Sequence, residues 1–86
     1  MLPQRLKQAR TRMKISQQKL GILAGIDEAT ASTRMNQYER GIHTPDFELV
    51  CRLAAILRVP ACYFYTQEDE LADIIEHWYE RHNGSN

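Results

Sequence analysis

The sequence predicts an all-α domain, and three observations lead to this fold class. Apolar residues recur at spacings of three and four along most of the 86 residues, which is the period of an amphipathic helix. Helix-starting residues such as Ser16 and Asp27 alternate with helix-ending glycines such as Gly25 and Gly41. No segment shows the alternating pattern of a half-buried strand. A chain of this length has room for one domain with a modest core, so we expect no second folded unit.

The first two helices are predicted from their apolar faces and their starting residues. The first spans about residues 3–13, and Pro3 suits its first turn because no N–H is needed there. The second begins after Ser16, whose hydroxyl can accept a hydrogen bond from a free backbone N–H, and it ends at Gly25. The residues expected to face inward from these two helices are Leu2, Leu6, Ala9, Met13, Leu20 and Leu23.

The third and fourth helices are separated by a glycine and a proline. The third runs from Asp27 to about Tyr38 or Glu39, before Gly41. Thr44-Pro45 is expected to start the fourth by a cap and a first-turn proline. The apolar stripe of this fourth helix is predicted to be Phe47, Val50, Leu53, Ala54 and Leu57.

The C-terminal part is predicted to contain a short helical turn and a last helix. Pro60 opens the turn, which can fold Phe64 onto the core. Thr66 and Asp69 have the spacing of a capping box, and the last helix follows to about His82.

Charge is divided unevenly between the two halves of this formally neutral chain. Residues 1–45 contain eight Lys/Arg and three acids, a balance of +5, whereas residues 46–86 contain three and eight, a balance of −5. Such asymmetry favours a nucleic-acid partner for the basic half. Attraction between the two halves is the alternative explanation.

The order of these motifs resembles the helix-turn-helix of the Cro/C1-type (XRE) family of bacterial and phage regulators. The matching segments, within about residues 5–65, are SQQKLGILAG, QYERGIHTPD and LAAILRVP. The resemblance implies a five-helix, lambda-repressor-like DNA-binding domain over residues 1–66, whose second and third helices bind DNA. It implies that Gln17 binds a phosphate, that Gly21 lies at a tight helix crossing, and that Arg10 and Glu39 pair.

The sequence departs from the family pattern between two glycines. Gly25 and Gly41 are sixteen positions apart, about four more than is usual in the family, and four residues are close to one helical turn. The simplest interpretation is a recognition helix that begins one turn early, at about residues 27–39. A longer preceding loop is the alternative.

The predicted recognition helix has a polar face that suits a DNA groove. If Ala31, Met35 and Tyr38 face inward, the outward face contains small hydroxyls, amides and arginines, with no acid in its middle. Amides can bind adenine and arginines can bind guanine or phosphate. We expect base contacts from Ser32, Thr33, Asn36 and Gln37. We expect backbone contacts from Arg5, Gln17, Arg34, Arg40, His43 and Thr44.

The last segment, residues 67–86, is expected to be an amphipathic helix that forms a homodimer. Its apolar positions recur at i, i+3, i+4, i+7 and i+8. Packing back onto its own domain is the alternative, because a small core gains from extra burial. The residues expected at the dimer interface are Leu71, Ile74, Ile75, Trp78 and Tyr79.

Several other classes of site are not expected. Cys51 and Cys62 lack zinc spacing and should be buried thiols, and the three histidines are scattered. No catalytic arrangement, metal site or cofactor motif is recognisable, so the protein is not expected to be an enzyme. No apolar run is long enough to span a membrane or to serve as a signal peptide, so a cytoplasmic location is expected.

The sequence therefore predicts a DNA-binding transcriptional regulator that acts as a homodimer on double-stranded DNA, most simply a repressor of a palindromic operator. An antitoxin or anti-repressor on the same fold is the alternative, with a toxin as a possible further partner. An activator that contacts RNA polymerase through the acidic last helix is a third option.

Overall fold

The computed structural model describes residues 1–84, so Ser85 and Asn86 of the predicted C-terminal segment lie outside the described residues. The described residues contain helices and no strand, which confirms the predicted all-α class. A 3₁₀ turn, Ala61–Tyr65, precedes the last α-helix, and a π-helical turn, Glu80–Gly84, follows it. The α-helices are α1 (Pro3–Arg12), α2 (Gln17–Leu23), α3 (Glu28–Glu39), α4 (Phe47–Leu57) and α5 (Asp69–Tyr79).

One hydrophobic core joins all of these helices. Each helix contributes at least one buried side chain, and Phe64 from the 3₁₀ turn is the largest side chain that is fully buried. This agrees with the prediction that the turn after Pro60 folds Phe64 inward. The other fully or almost fully buried side chains include Leu6, Ala9, Leu20, Ala31, Met35, Val50, Leu53, Leu57 and Val59.

Local side-chain caps fix the start of each helix of the helix-turn-helix. The Ser16 hydroxyl accepts a hydrogen bond from Lys19 N at 3.0 Å, and the Asp27 carboxylate accepts one from Ala29 N at 3.1 Å. Gly25 and Gly41 follow α2 and α3 with φ of +95° and +75°, a conformation that glycine adopts without strain. The predicted bounds of these two helices are therefore confirmed.

The extra residues between Gly25 and Gly41 belong to α3 and not to a longer loop. Asp27 is the N-cap of α3, so only Ile26 separates it from the turn glycine. The twelve residues of α3 follow without interruption to Glu39. The prediction of a helix that begins one turn early is confirmed.

Helix α2 crosses α3 at very short distance through Gly21. A Cβ atom added at Gly21 would lie 2.9 Å from Ala31 Cβ, closer than real Cβ contacts, and 3.1 Å from Met35 Cγ, which is a tight contact. Glycine at this position lets the two helix backbones approach, and α2 therefore supports the middle of α3 directly.

Two residues predicted to face inward are exposed. Leu23 lies about 60° around α2 from Leu20 and about 100° from Ala24, at the edge of the buried side. Phe47 is the first residue of α4, at the edge of its stripe. Leu49 is buried in α4 instead.

Helix α4 begins later than its proline predicted. Asp46 is the N-cap, and its carboxylate accepts a hydrogen bond from Leu49 N at 2.8 Å. Thr44 and Pro45 therefore precede the helix. The carboxylate of Asp46 is well suited to the helix start because it also meets the positive end of the helix dipole.

The predicted capping box before α5 does not form. The Thr66 hydroxyl donates to the Cys62 carbonyl at 2.8 Å, and Asp69 forms an ion pair with Arg5 instead. Helix α5 starts at Asp69 after Glu68, which makes no side-chain cap.

Both cysteines are exposed, so the prediction of buried thiols is wrong. Cys51 lies on the outer side of α4 and Cys62 lies in the 3₁₀ turn. Among the described residues, no helix is both long enough and apolar enough to cross a bilayer.

Candidate nucleic-acid interface

Helix α3 presents a polar face to solvent because its opposite side is fully used in the core. Ala31, Met35 and Tyr38 are buried, as predicted. Of the residues expected to contact bases, Ser32, Thr33 and Asn36 are exposed and Gln37 is partly exposed. The core thus determines which side of α3 faces outward.

The acids near α3 lie at its ends. Asp27 turns its carboxylate back onto the helix N-terminus, where it accepts the Ala29 N–H. Glu39, at the other end, has a side chain that is only 3% exposed. The solvent-facing middle of α3 therefore has no carboxylate that would repel a phosphate.

Arg10 and Glu39, predicted as a pair, are brought together. The Arg10 guanidinium donates through Nε and Nη2 to the two carboxylate oxygens of Glu39, and its side chain is 14% exposed. A third bond from Nη1 to the Ile15 carbonyl, at 2.9 Å, connects the pair to the turn before α2. This bidentate contact fixes the end of α3 against α1 and neutralises the one acid there.

Gln17 joins this pair. Its amide Nε2 donates to Glu39 Oε1 at 3.1 Å. The bond fixes the first residue of α2 relative to the end of α3, so the two helices of the motif are oriented by one polar cluster.

A polar cleft lies along one side of α3, between that helix and the α1–α2 corner. Its charged residues come from α1 and from the end of α3, so it collects positive groups that are distant in the sequence. The cleft is lined by Lys7, Arg10, Ser16, Gln17, Asn36, Glu39 and Arg40.

A second cleft lies on the other side of α3, towards the loop before α4. Arg34 donates to the Tyr38 hydroxyl at 2.7 Å, and its guanidinium lies 5.8 Å from the centre of the Tyr38 ring. This contact orients Arg34 along the helix. The cleft is lined by Arg34, Gln37, Tyr38, His43 and Thr44.

The two clefts together contain most of the residues expected to contact the DNA backbone. Gln17 and Arg40 line the first, and Arg34, His43 and Thr44 line the second. Lys7 was not among the predicted contacts, yet it lines the first cleft beside Asn36. Its position on the polar face of α1 was visible in the sequence, but its closeness to α3 depends on the tertiary fold.

Arg5 is the exception, because it lies away from both clefts. Its side chain is 3% exposed, and it donates to the Thr66 carbonyl at 2.9 Å and to the Gln67 carbonyl at 3.0 Å. It also bonds Gln8 and forms an ion pair with Asp69 at 3.0 Å. Most of the guanidinium donors are occupied and buried, so the predicted contact of Arg5 with the DNA backbone would require these bonds to open.

Helix α5 leaves most of its apolar stripe uncovered. Leu71, Ile74 and Trp78 are 46%, 61% and 45% exposed, whereas Ile75 and Tyr79 are partly buried. Only Ala72 of this helix is fully buried. The exposed side chains continue into a shallow apolar groove lined by Pro60, Cys62, Ile74, Ile75 and Trp78.

Among the described residues, no three histidine, cysteine, aspartate or glutamate side chains lie close enough together to bind a metal ion. His77 and His82 each contact a backbone carbonyl one turn earlier in the chain.

This chain was compared with models of protein families, with curated proteins and with solved structures. A family model described as helix-turn-helix matches residues 6–64. The chain is also similar to the crystal structure of the transcriptional regulator BswR, with 51% sequence identity and a TM-score of 0.88. That match covers 92% of this chain and 78% of the BswR chain. Comparison with curated proteins found no significant match.

Proposed function

This chain belongs to the helix-turn-helix family of XRE regulators, and on that premise we propose that it is a dimeric transcriptional repressor that reads a palindromic operator through α3. The observation that carries the proposal is the solvent face of α3. This face is polar, is free of acids along its middle, and is fixed by a buried opposite side. A regulator of this kind acts on DNA in the cytoplasm.

Base contacts in this proposal come from the middle of α3. Asn36 and Gln37 carry amides that can make paired hydrogen bonds to adenine in the major groove. Thr33, and Ser32 nearer the helix start, are small enough for the backbone to approach the base edges. These four residues are all at least partly exposed.

Backbone contacts come from the two clefts beside α3. Lys7, Gln17 and Arg40 would bind phosphates on one side, and Arg34, His43 and Thr44 on the other. Such contacts set the register of the protein on DNA without reading its sequence. The basic half of the chain supplies all of the cationic residues in this set.

The homodimer in this proposal forms through α5. An exposed stripe that contains Leu71, Ile74 and Trp78 is the kind of surface that another protein covers, since aromatic and aliphatic anchors dominate interfaces. A single domain of this size contacts few base pairs. A two-fold dimer would place two copies of α3 about 34 Å apart, one turn of DNA, and would double the recognised sequence.

The test of DNA reading is selection of bound duplexes from a random pool. We expect an enriched sequence with two inverted half-sites. Enrichment of a single unrepeated site would contradict the palindrome, and no enrichment at all would contradict sequence-specific binding.

The test of the dimer is sedimentation of Ile74→Glu beside Leu23→Glu. Both substitutions place an acid at an exposed aliphatic position, but only the first lies on α5. We expect Ile74→Glu to be monomeric and Leu23→Glu to remain dimeric at micromolar concentration. A wild-type chain that sediments as a monomer with and without operator DNA would reject the dimer.

A further inference from the structure

We infer that α1 sets the spacing between the two operator half-sites, and that the Arg12–Glu76 ion pair is the positioning contact that does so. This inference rests on the proposed DNA-binding dimer. It concerns a different property, which is the angle between the dimerisation helix and the reading helix.

Apolar contacts attach α5 to its own domain only weakly. Ala72 is its one fully buried residue, and Ile75 packs partly against the core. Leu71, Ile74 and Trp78 of α5 are largely exposed, and Tyr79 is only partly buried. A helix attached by so little apolar surface can pivot unless other contacts fix its direction.

Two arginines of α1 supply those other contacts. Arg12 forms an ion pair with Glu76 near the middle of α5 and donates to the Leu57 carbonyl at 3.2 Å. Arg5 bonds the Thr66 and Gln67 carbonyls and Asp69, at the start of α5. One arginine therefore fixes where α5 begins, and the other fixes its direction about two turns later.

The buried side chain of Tyr63 lies near both of these arginines. Its side chain is buried, and the Arg5 guanidinium lies 5.9 Å from its ring centre. Burial and then the nearby Glu76 charge raise the pKa of Tyr63, while the charges of Arg12 and Arg5 act in the opposite direction. Tyr63 thus lies against Arg5 and close enough to Arg12 and Glu76 for their charges to act on its hydroxyl.

The same helix orients α3 from its opposite side. Arg5 and Arg12 are seven residues apart and share one face of α1, whereas Arg10 lies roughly 140–160° around the helix from them. Arg10 bonds Glu39 at the end of α3. Since α1 contacts both helices through short polar bonds, a pivot of α5 on α1 changes the angle between the dimer axis and α3.

The spacing of half-sites is sensitive to such a pivot. Each additional base pair moves a half-site by about 3.4 Å and turns it by roughly 35° around the DNA axis. Arg12 is the better positioning residue to test, because its pair is partly solvated, with 35% of the Arg12 side chain and 17% of the Glu76 side chain exposed. Arg5 is almost fully buried, so its loss would disturb folding as well.

The experiment uses the full chain and duplexes that carry the two selected half-sites with spacers lengthened or shortened one base pair at a time. We expect the wild type to favour its best spacer over the neighbouring ones by about tenfold, and Arg12→Gln and Glu76→Gln to reduce this preference to about threefold or less. Affinity for one isolated half-site should stay unchanged. Arg12→Lys, which keeps the charge opposite Glu76, should retain much of the preference.

Glu80→Gln is the matched control, because Glu80 is an exposed acid on the next turn and forms no ion pair among the described residues. It should keep the wild-type spacer preference. The inference is overturned if both Gln variants keep that preference, or if both lose the folded dimer, which would show that the pair maintains the fold. A wild type without dimer or palindrome would instead reject the proposed function itself.

Discussion

Helices α3 and α5 are similar in length, twelve and eleven residues, yet they meet solvent in opposite ways. Helix α3 buries all three of its apolar anchors and exposes hydroxyls, amides and arginines. Helix α5 buries one alanine and exposes Leu71, Ile74 and Trp78. The comparison shows that the buried side of a helix determines how firmly the helix is attached to its domain. The exposed side indicates what kind of partner the helix can bind.

The two helices also differ in the ion pairs that attach them to α1. Arg10 and Glu39 are 14% and 3% exposed, whereas Arg12 and Glu76 are 35% and 17% exposed. A buried pair costs much when one partner is lost, and a partly solvated pair costs little. We therefore expect the Arg10–Glu39 pair to matter more for stability than the Arg12–Glu76 pair.

The largest effect is expected for Arg10→Ala. This change leaves the Glu39 carboxylate buried without its partner, so the free energy of unfolding should fall by about 3–5 kcal/mol. Urea unfolding followed by circular dichroism measures it. Lys7→Ala on the same helix should cost less than about 0.5 kcal/mol. A loss under about 1 kcal/mol for Arg10→Ala would mean that the pair behaves as a surface contact, and the comparison would fail.

Gly21→Ala should have the next largest effect on the attachment of α3. The new Cβ would meet Ala31 Cβ at 2.9 Å, so α2 and α3 must separate, at a cost of about 1–3 kcal/mol. Thermal unfolding beside Ile22→Ala, an exposed neighbour on α2, tests this. An unchanged or higher melting temperature for Gly21→Ala would show that the crossing can relax.

Asn36→Ala tests the proposed role of the α3 surface, and it leaves the buried contacts that attach α3 unchanged. We expect a loss of roughly 1–3 kcal/mol in operator binding, with relaxed preference at one or two base pairs, because a base contact is removed. The measurement is a repeated selection with the variant. If the selected sequence is identical to that of the wild type, Asn36 does not read a base.

Arg40→Gln should weaken binding in a different way. A phosphate contact is lost, so the slope of log affinity against log salt should become shallower by about one unit, with sequence preference unchanged. Titrations at several salt concentrations separate this outcome from that of Asn36→Ala. A changed base preference would show that Arg40 contacts a base and not only the DNA backbone.

The smallest effect is expected at high pH beneath α5. The pKa of Tyr63 is raised above 10.0 in the folded protein, mainly by burial and then by Glu76. The resulting stability is fully present below pH 10.0 and is lost as pH rises through the folded pKa. Fluorescence of Trp78, the one tryptophan, should change before helical circular dichroism does. Tyr63→Phe should remove this early step, and its persistence would exclude Tyr63 as the cause.

Local features were predictable from the sequence, whereas contacts between distant residues were not. Ser16 and Asp27 bond backbone groups two or three residues away, so their roles follow from neighbouring letters. Arg5 bonds carbonyls 61 and 62 positions away, and nothing in α1 indicates those acceptors. Its positive charge alone suggested a phosphate, whereas the fold uses its donors within the chain. The pair of Arg10 with Glu39 came from the family resemblance and not from periodicity.

Average tendencies of residue types also gave errors. Cys51 and Cys62 were expected inside because free cysteines are usually buried, yet their positions on α4 and on the 3₁₀ turn face outward. Leu23 and Phe47 are apolar residues at the edges of their stripes, where periodicity separates the two faces least clearly. Thr66 has the spacing of a cap, but its hydroxyl found a nearer acceptor in the preceding turn.

The early start of α3 has a consequence for how such a domain can diversify. The added turn lies at the N-terminal end of the helix, before the anchors Met35 and Tyr38 and the Glu39 contact, so none of these has to shift. About four residues lengthen a helix by roughly 6 Å, close to the rise of two base pairs, while changing its phase by only about 40°. Descendants of one ancestor could therefore gain or lose a whole turn there and acquire a different DNA footprint while keeping the anchors of the C-terminal half of α3. Within the core, only the position of Ala31 in the first turn would need a replacement.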